Sequence, residues 1–387
     1  MKRGGLIAGF LKRAYLAVES LVLRHKRKKD VLIVVHNKLM WTYARPLYEG
    51  LRRDKGMRVW VCFVWPHLWE SGDIRALVKR FSLRTVPYRL GVYLKWDLIV
   101  FPNHGPYFRR DCRKIYIGHG LHSGKLVGGK SYVFGSRSLD ERGKILYDRL
   151  FVSSEFVRSQ VKDHHPDFYP VVRAVGSLLM DEMLNGHRRS REEVLKEINL
   201  DPGRRTMMIA STWGPFSLIE NQGMELVKKL PALCAKYNVI LSLHLLNYGI
   251  WPSEGRNWKP ILDKVKVKNL YIIPPGIGGH LYMEAADLLV TDHSSVGLYF
   301  PAYARPIIYY QRPDLKLDGV SLTHELRSVS YCVRDTSSLS ADIGRALSNF
   351  DVRPMEELAD KIASYPGRAQ ERYLEELLSL MGMDGKR

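Results

Sequence analysis

The chain has 387 residues, with 60 Lys+Arg against 40 Asp+Glu, a formal net charge of +20, and 45% hydrophobic, 26% charged and 11% aromatic residues. That is an ordinary globular composition with surplus positive charge, in a chain too long for one compact core and of a size for two domains; it excludes disorder, collagen-like repeats and a disulfide-stapled miniprotein. No run of eighteen residues is free of charge, which argues against a spanning helix, and the four scattered cysteines (Cys62, Cys112, Cys234, Cys332) contain no CxxC pair, which points to a reducing compartment and no structural zinc.

Residues 2–29 carry nine basic side chains and one acidic one, Glu19. Ile7, Phe10, Leu11, Ala14, Val18, Leu21 and Val22 recur there at helical spacing, so residues 1–29 read as a basic amphipathic helix. Such a helix can lie in the headgroup region of an anionic membrane or pack its stripe on the protein; Arg24, Lys26, Arg27, Lys28 and Lys29 favour the membrane. Charges inside the apolar stretch and the lack of a cleavage site argue against a signal peptide.

From residue 31 onward, short β-rich runs alternate with longer amphipathic segments. The runs fall at 31–36, 58–64, 97–101, 114–118, 149–153 and 171–175, then at 206–211, 238–243, 269–273, 287–291, 306–310 and 329–333. Near-continuous apolar runs separated by helical stretches predict buried parallel strands in βαβ units. Two such series predict an α/β protein of two doubly wound, Rossmann-like domains facing a cleft. The boundaries are 30–185 and 200–350, the linker lies near His187–Arg191 and the turn Asp201-Pro202-Gly203, and a helical segment over 351–387 can pack on either domain.

Ligands of open α/β sheets bind beyond the carboxyl ends of strands, and five stretches carry polar residues there. Asp292-His293-Ser294-Ser295 follows a strand and is expected to open a helix whose hydroxyls and free N–H groups form an anion cradle. In Gly118-His119-Gly120, with His122, Gly124 and Lys125 close behind, glycines permit close backbone approach and a neutral imidazole can accept a hydroxyl proton. His244 ends a third strand. Ser211 and Thr212 end a fourth, as phosphate ligands or a simple turn, and Ser153-Ser154-Glu155 reads as a capped helix start.

The order of these stretches resembles the CDP-glycerol glycerophosphotransferase family, the teichoic-acid primases and polymerases, over roughly residues 95–315. Gly118-His119-Gly120 is similar to the family's WHG motif, Asp148 to Glu155 to its D-y-f-x-S-S-E element, and Gly176 to Asp181 to its G-y-P-R-x-D element. Ala210-Ser211-Thr212-Trp213-Gly214 matches A-P-T-W-R, His244 the strand-end histidine, and Asp292–Ser295 with Arg305-Pro306 the D-y-S-S…R-P pair. Leu179 and Gly214 stand where the family usually has arginines, Tyr299 where it has an acidic residue, and Gly118 where it has Trp.

The resemblance implies the GT-B arrangement, attachment to the cytoplasmic face of the cell membrane as a peripheral protein, and cell-envelope, teichoic acid-like polymer synthesis. It implies transfer of glycerol phosphate or a related polyol phosphate from a CDP-activated donor to a lipid-linked or glycan acceptor, with release of CMP. His119 would be the base and His244 would neutralise developing charge. Ser294 and Ser295, with Asp292, Thr212 and Ser211, would hold the donor pyrophosphate, and His122, Lys125, His293 and Arg305 are accessory candidates. No metal ligands are identified; Mg2+ is the one cofactor left open. A GT-B glycosyltransferase using a nucleotide sugar is the alternative, a basic binding protein ranks third, and no nucleic-acid partner is expected, since no nucleic-acid-binding motif appears.

Overall fold

The computed structural model describes residues 28–64, 72–105, 108, 111–185, 189–249 and 255–383. Most of the expected basic helix at 1–29 lies outside them.

The apolar runs become two all-parallel sheets. The first takes β1 (Lys29–Val35), β2 (Met57–Phe63), β3 (Arg84–Thr85), β4 (Leu98–Phe101), β5 (Arg113–Tyr116), β8 (Arg149–Val152) and β9 (Val172–Ala174) in the order β3-β2-β1-β4-β5-β8-β9. The hairpin of β6 (Leu126–Val127) and β7 (Lys130–Ser131) stands apart from it, and neither it nor the exposed edge strand β3 had a pattern visible in the sequence. The second sheet takes β10 (Thr206–Ser211), β11 (Asn238–Leu243), β12 (Leu270–Ile272), β13 (Leu288–Thr291), β14 (Ile307–Tyr310) and β15 (Tyr331–Val333) in the order β12-β11-β10-β13-β14-β15. Both orders reverse direction beside their first strand, between β1 and β4 and between β10 and β13, and each reversal opens a crevice at the carboxyl ends.

Local chemistry fixes the helices that flank these sheets. Helix Lys38–Leu51 starts where the Asn37 side chain accepts from Met40 N at 3.0 Å, and it buries Met40, Trp41, Ala44, Leu47, Tyr48 and Leu51 against the first sheet. Ser154 and Ser217 cap helices Glu155–His164 and Leu218–Lys236 in the same way, and Ser190 with Glu193 forms a capping box on Arg191–Glu197.

The segment after β15 returns to the first domain. Ser364 N donates to Ser153 O at 3.0 Å, and the Asp181 carboxylate accepts from Gly367 N at 2.7 Å and Ala369 N at 2.8 Å. Helix Ala369–Leu380 then packs Tyr373 against Phe151 and buries Leu377 and Leu378 in the first domain's outer core. Gly176 makes the approach possible: its φ is +83°, and a Cβ there would lie 2.8 Å from Ser364 O. The Gly176…Asp181 element thus docks the last helix.

Among the described residues, no helix is long and apolar enough to cross a membrane. Cys62, Cys112 and Cys234 are buried, Cys332 is exposed, and all four thiols are free.

Candidate functional site

The turn after β13 is organised by a buried carboxylate. Asp292, 0% exposed, accepts from Ser211 Oγ at 2.7 Å, Leu218 N at 2.7 Å, Ser294 N at 2.9 Å and Thr212 N at 3.1 Å. It therefore joins the ends of β10 and β13 to the start of helix Leu218–Lys236 across the strand-order reversal. Asp292 and Ser211, expected to bind pyrophosphate, are here engaged with protein partners. An anionic acceptor with its oxygens filled repels phosphate, and the Ser211 hydroxyl is spent on Asp292 while accepting from Ile219 N at 3.0 Å. These two residues hold the cradle's shape instead of lining it.

The expected helix after Asp292 is a single tight turn, Ser295–Leu298, capped by Ser294, whose Oγ accepts from Val296 N at 3.3 Å. Ser295 faces the other domain: a Cβ on Gly120 would stand 3.7 Å from Ser295 Oγ and 3.8 Å from the hydroxyls of Tyr299 and Tyr43. The hydroxyls of Tyr43 and Tyr299, which stands where the family has an acidic residue, approach the same point beside Gly120, and burial raises the pKa of both.

His119 and His244 come to this cleft in complementary tautomers. His119 Nδ1 lies 3.1 Å from Pro102 O. A carbonyl only accepts, so Nδ1 carries the proton and Nε2 offers a lone pair. His244 Nδ1 accepts from Leu246 N at 3.2 Å, which places its proton on Nε2. Both rings are neutral. Burial first, then repulsion from Lys125, holds His119 down to about 4, and burial, Lys125 and His119 together hold His244 down to about 3.

Lys125 bridges the halves. Its Nζ lies 4.0 Å from the ring centroid of Trp213, whose centroid is 6.0 Å from that of His244. Burial, followed by repulsion from Arg137, lowers the ammonium to about 8. His293 is lowered chiefly by burial, opposed by Asp292 and reinforced by Lys125, so it too belongs to this cluster. Thr212 is partly exposed beside it.

Two accessory candidates fall elsewhere. Arg305 donates to the carbonyls of Glu284 at 2.8 Å and Ala286 at 2.7 Å and pairs with Glu284. Those groups precede β13, at the sheet's amino end, opposite the crevice. His122 stacks on Phe134 with centroids 5.9 Å apart, continuous with His165, and serves packing. Of the two missing arginines, Leu179 sits in the hydrophobic core, and Gly214 has φ +92°, a conformation a side chain there would strain.

Two further histidines at strand ends carry the same signal as His119 but were not legible as site residues from any motif. His36 follows β1 and His104 follows β4; burial holds both down to about 4, and His119 depresses each further. Tyr132 completes this wall: its hydroxyl donates to Asn103 Oδ1 at 2.7 Å, its ring centroid lies 6.3 Å from that of His119, and Arg137 lies 5.0 Å over its face. Among the described residues, no group of three or more His, Cys, Asp or Glu side chains could hold a metal ion.

Two parallel-sheet domains that meet around His119, His244 and Lys125 make an α/β architecture of GT-B-like type. Residues 130–317 match the family model described as CDP-Glycerol:Poly(glycerophosphate) glycerophosphotransferase. A teichoic acid poly(glycerol phosphate) polymerase of Bacillus spizizenii is 28% identical over 142 residues, 34% of this chain and 33% of that protein, so the match spans about a third of the polymerase's length. The fold is also similar to that of the wall teichoic acid polymerase TagF. A variant of TagF superposes with a TM-score of 0.65 at 14% identity, covering 98% of this chain and 99% of that one. A TagF variant soaked with CDPG gives 0.61 at 14% identity, covering 96% and 97%. Residues 130–317 are thus similar to the CDP-glycerol glycerophosphotransferase family, and the fold of the whole chain is similar to that of TagF.

Proposed function

We propose that the protein transfers glycerol phosphate from CDP-glycerol to a hydroxyl of a lipid-linked or glycan acceptor at the cytoplasmic membrane surface. The observation that carries the reading is the pair of tautomers in one cleft, a lone pair on His119 Nε2 and an N–H on His244 Nε2. The acceptor hydroxyl gives its proton to His119 Nε2 as its oxygen attacks the phosphorus bearing glycerol. The bond from that phosphorus to the bridging oxygen breaks, and CMP leaves with the bonding pair. His244 Nε2–H and the Lys125 ammonium face the charge that develops on the leaving phosphate, and the turn at Ser294 and Ser295, with His293 and Thr212, receives the pyrophosphate. Since little covalent chemistry falls to the protein, its contribution is positioning and electrostatics.

Purified enzyme with CDP-glycerol and a lipid-linked acceptor should release CMP, and His119→Ala should not. Preferential turnover of UDP- or GDP-sugars would refute the donor assignment. The basic segment 1–29 supports membrane docking, and its deletion should abolish sedimentation with anionic liposomes; equal sedimentation of the shortened chain would remove the membrane part of the proposal.

A further inference from the structure

Three consecutive carbonyls of the loop that carries His119 are held by the second domain. Leu322 N donates to His122 O at 2.8 Å, Ser321 Oγ and Thr323 Oγ1 donate to Ser123 O at 3.0 and 2.9 Å, and Asp318 N donates to Gly124 O at 2.8 Å. Ser321 and Thr323 are at most 1% exposed. Asp318 is tied back to the first domain, since its Oδ1 lies 2.8 Å from His165 Nε2 and also accepts from Val320 N at 3.1 Å. Gly124 has φ +72°, and a Cβ there would meet Ser321 Oγ at 2.3 Å. The glycine that the sequence reading assigned to close approach by a ligand is required by close approach of the other domain.

Within its own domain, the His119 ring makes one hydrogen bond, to Pro102 O, and edge contacts with Tyr43 and Tyr132, while its backbone runs between glycines at φ +71° and +153° that impose little local order. The Asp292 network, by contrast, closes entirely within the second domain. The Asp292 network is therefore built without the first domain, whereas the backbone of the loop that carries His119 is anchored by the second.

We propose that Asp318, Ser321 and Thr323 are positioning residues of the transfer reaction: by clasping the carbonyls of residues 122–124, the second domain fixes the 118–124 loop, so that His119 is in place to take the acceptor's proton only when the domains are docked. The inference rests on reading His119 as the base. It makes proton acceptance conditional on closure, while the part of the nucleotide site built around Asp292 does not depend on it.

The test compares Ser321→Ala/Thr323→Val, which removes both donors to Ser123 O, with Gly124→Ala, which wedges the clasp open, and Thr323→Ser, which keeps the hydroxyl. We expect kcat for CMP release from CDP-glycerol to fall about tenfold or more in the first two, because small misplacements of a catalytic group are costly. CMP affinity should fall much less than kcat, since of the groups proposed to receive its phosphate only Lys125 belongs to this loop, and Thr323→Ser should retain activity. Amide hydrogen exchange over 119–124 should rise in the first two variants while β10–β14 stay protected. The proposal is overturned if kcat persists while exchange rises, if exchange is unchanged, or if CMP affinity falls in parallel with kcat. An inactive wild-type enzyme with CDP-glycerol would instead overturn the donor assignment, and the exchange comparison would still decide whether the clasp orders the loop.

Discussion

Asp292→Asn tests whether a buried carboxylate, and not the ligand, builds the phosphate cradle. Asp292 accepts from four donors with no solvent exposure. Asparagine offers one acceptor oxygen, and with that oxygen in the Oδ1 position its amide N–H2 points at Leu218 N–H, which is then left unpaired. An orphaned buried donor costs about 1–3 kcal/mol, and each lost charge-assisted bond is worth about 1.5–3 kcal/mol; relief from burying a charge offsets part of this, leaving a loss of about 3 kcal/mol. The perturbation is nearly isosteric, so cavity terms do not enter. Urea unfolding followed by tryptophan fluorescence, fitted as two domains, should show the second domain's transition weakened by that amount. CMP affinity should drop about tenfold as the amides of Ser294 and Ser295 lose their register. A stability loss below about 1 kcal/mol with unchanged CMP affinity would refute the reasoning.

The other predictions concern the bases and the docked helix. His119→Gln should lower kcat by about 10²–10⁴, the usual contribution of a general base, with CMP affinity retained by titration calorimetry; equal losses of both would place His119 in donor binding. Because His119 is held down to about 4, its base form persists as pH falls, and kcat/KM should show no acid limb near the ordinary imidazole value. Lys125, lowered to about 8, is charged below that pH and neutral above it, so activity should decline as pH rises through about 8. Lys125→Arg should move that limb upward, and an unmoved limb would assign it elsewhere. Gly176→Ala, which drives a Cβ to 2.8 Å from Ser364 O at φ +83°, should free the last helix, read as faster amide exchange over 369–380 with the second domain unaffected.

The parts whose cause is local were legible from the residues alone. Runs such as Val31–Val35 and Met207–Ala210 are apolar on both faces because parallel strands are buried on both, and so they announce themselves without any partner. Strand-end placement marked His119, His244 and Asp292–Ser295, and the same rule would have found His36 and His104 had it been applied to every strand. What only the tertiary structure decided is which partner each polar group meets. Asp292 turns inward to four donors, Arg305 serves carbonyls at the amino end of β13, and Gly124 makes room for Ser321. The helix over 369–380 could have packed on either domain; Asp181 and Gly176 place it on the first. The cause is range: strand and cap patterns arise from neighbours a few residues away, whereas charges, hydroxyls and glycines are satisfied by groups distant in sequence, which only the folding of each domain or the docking of the two brings close.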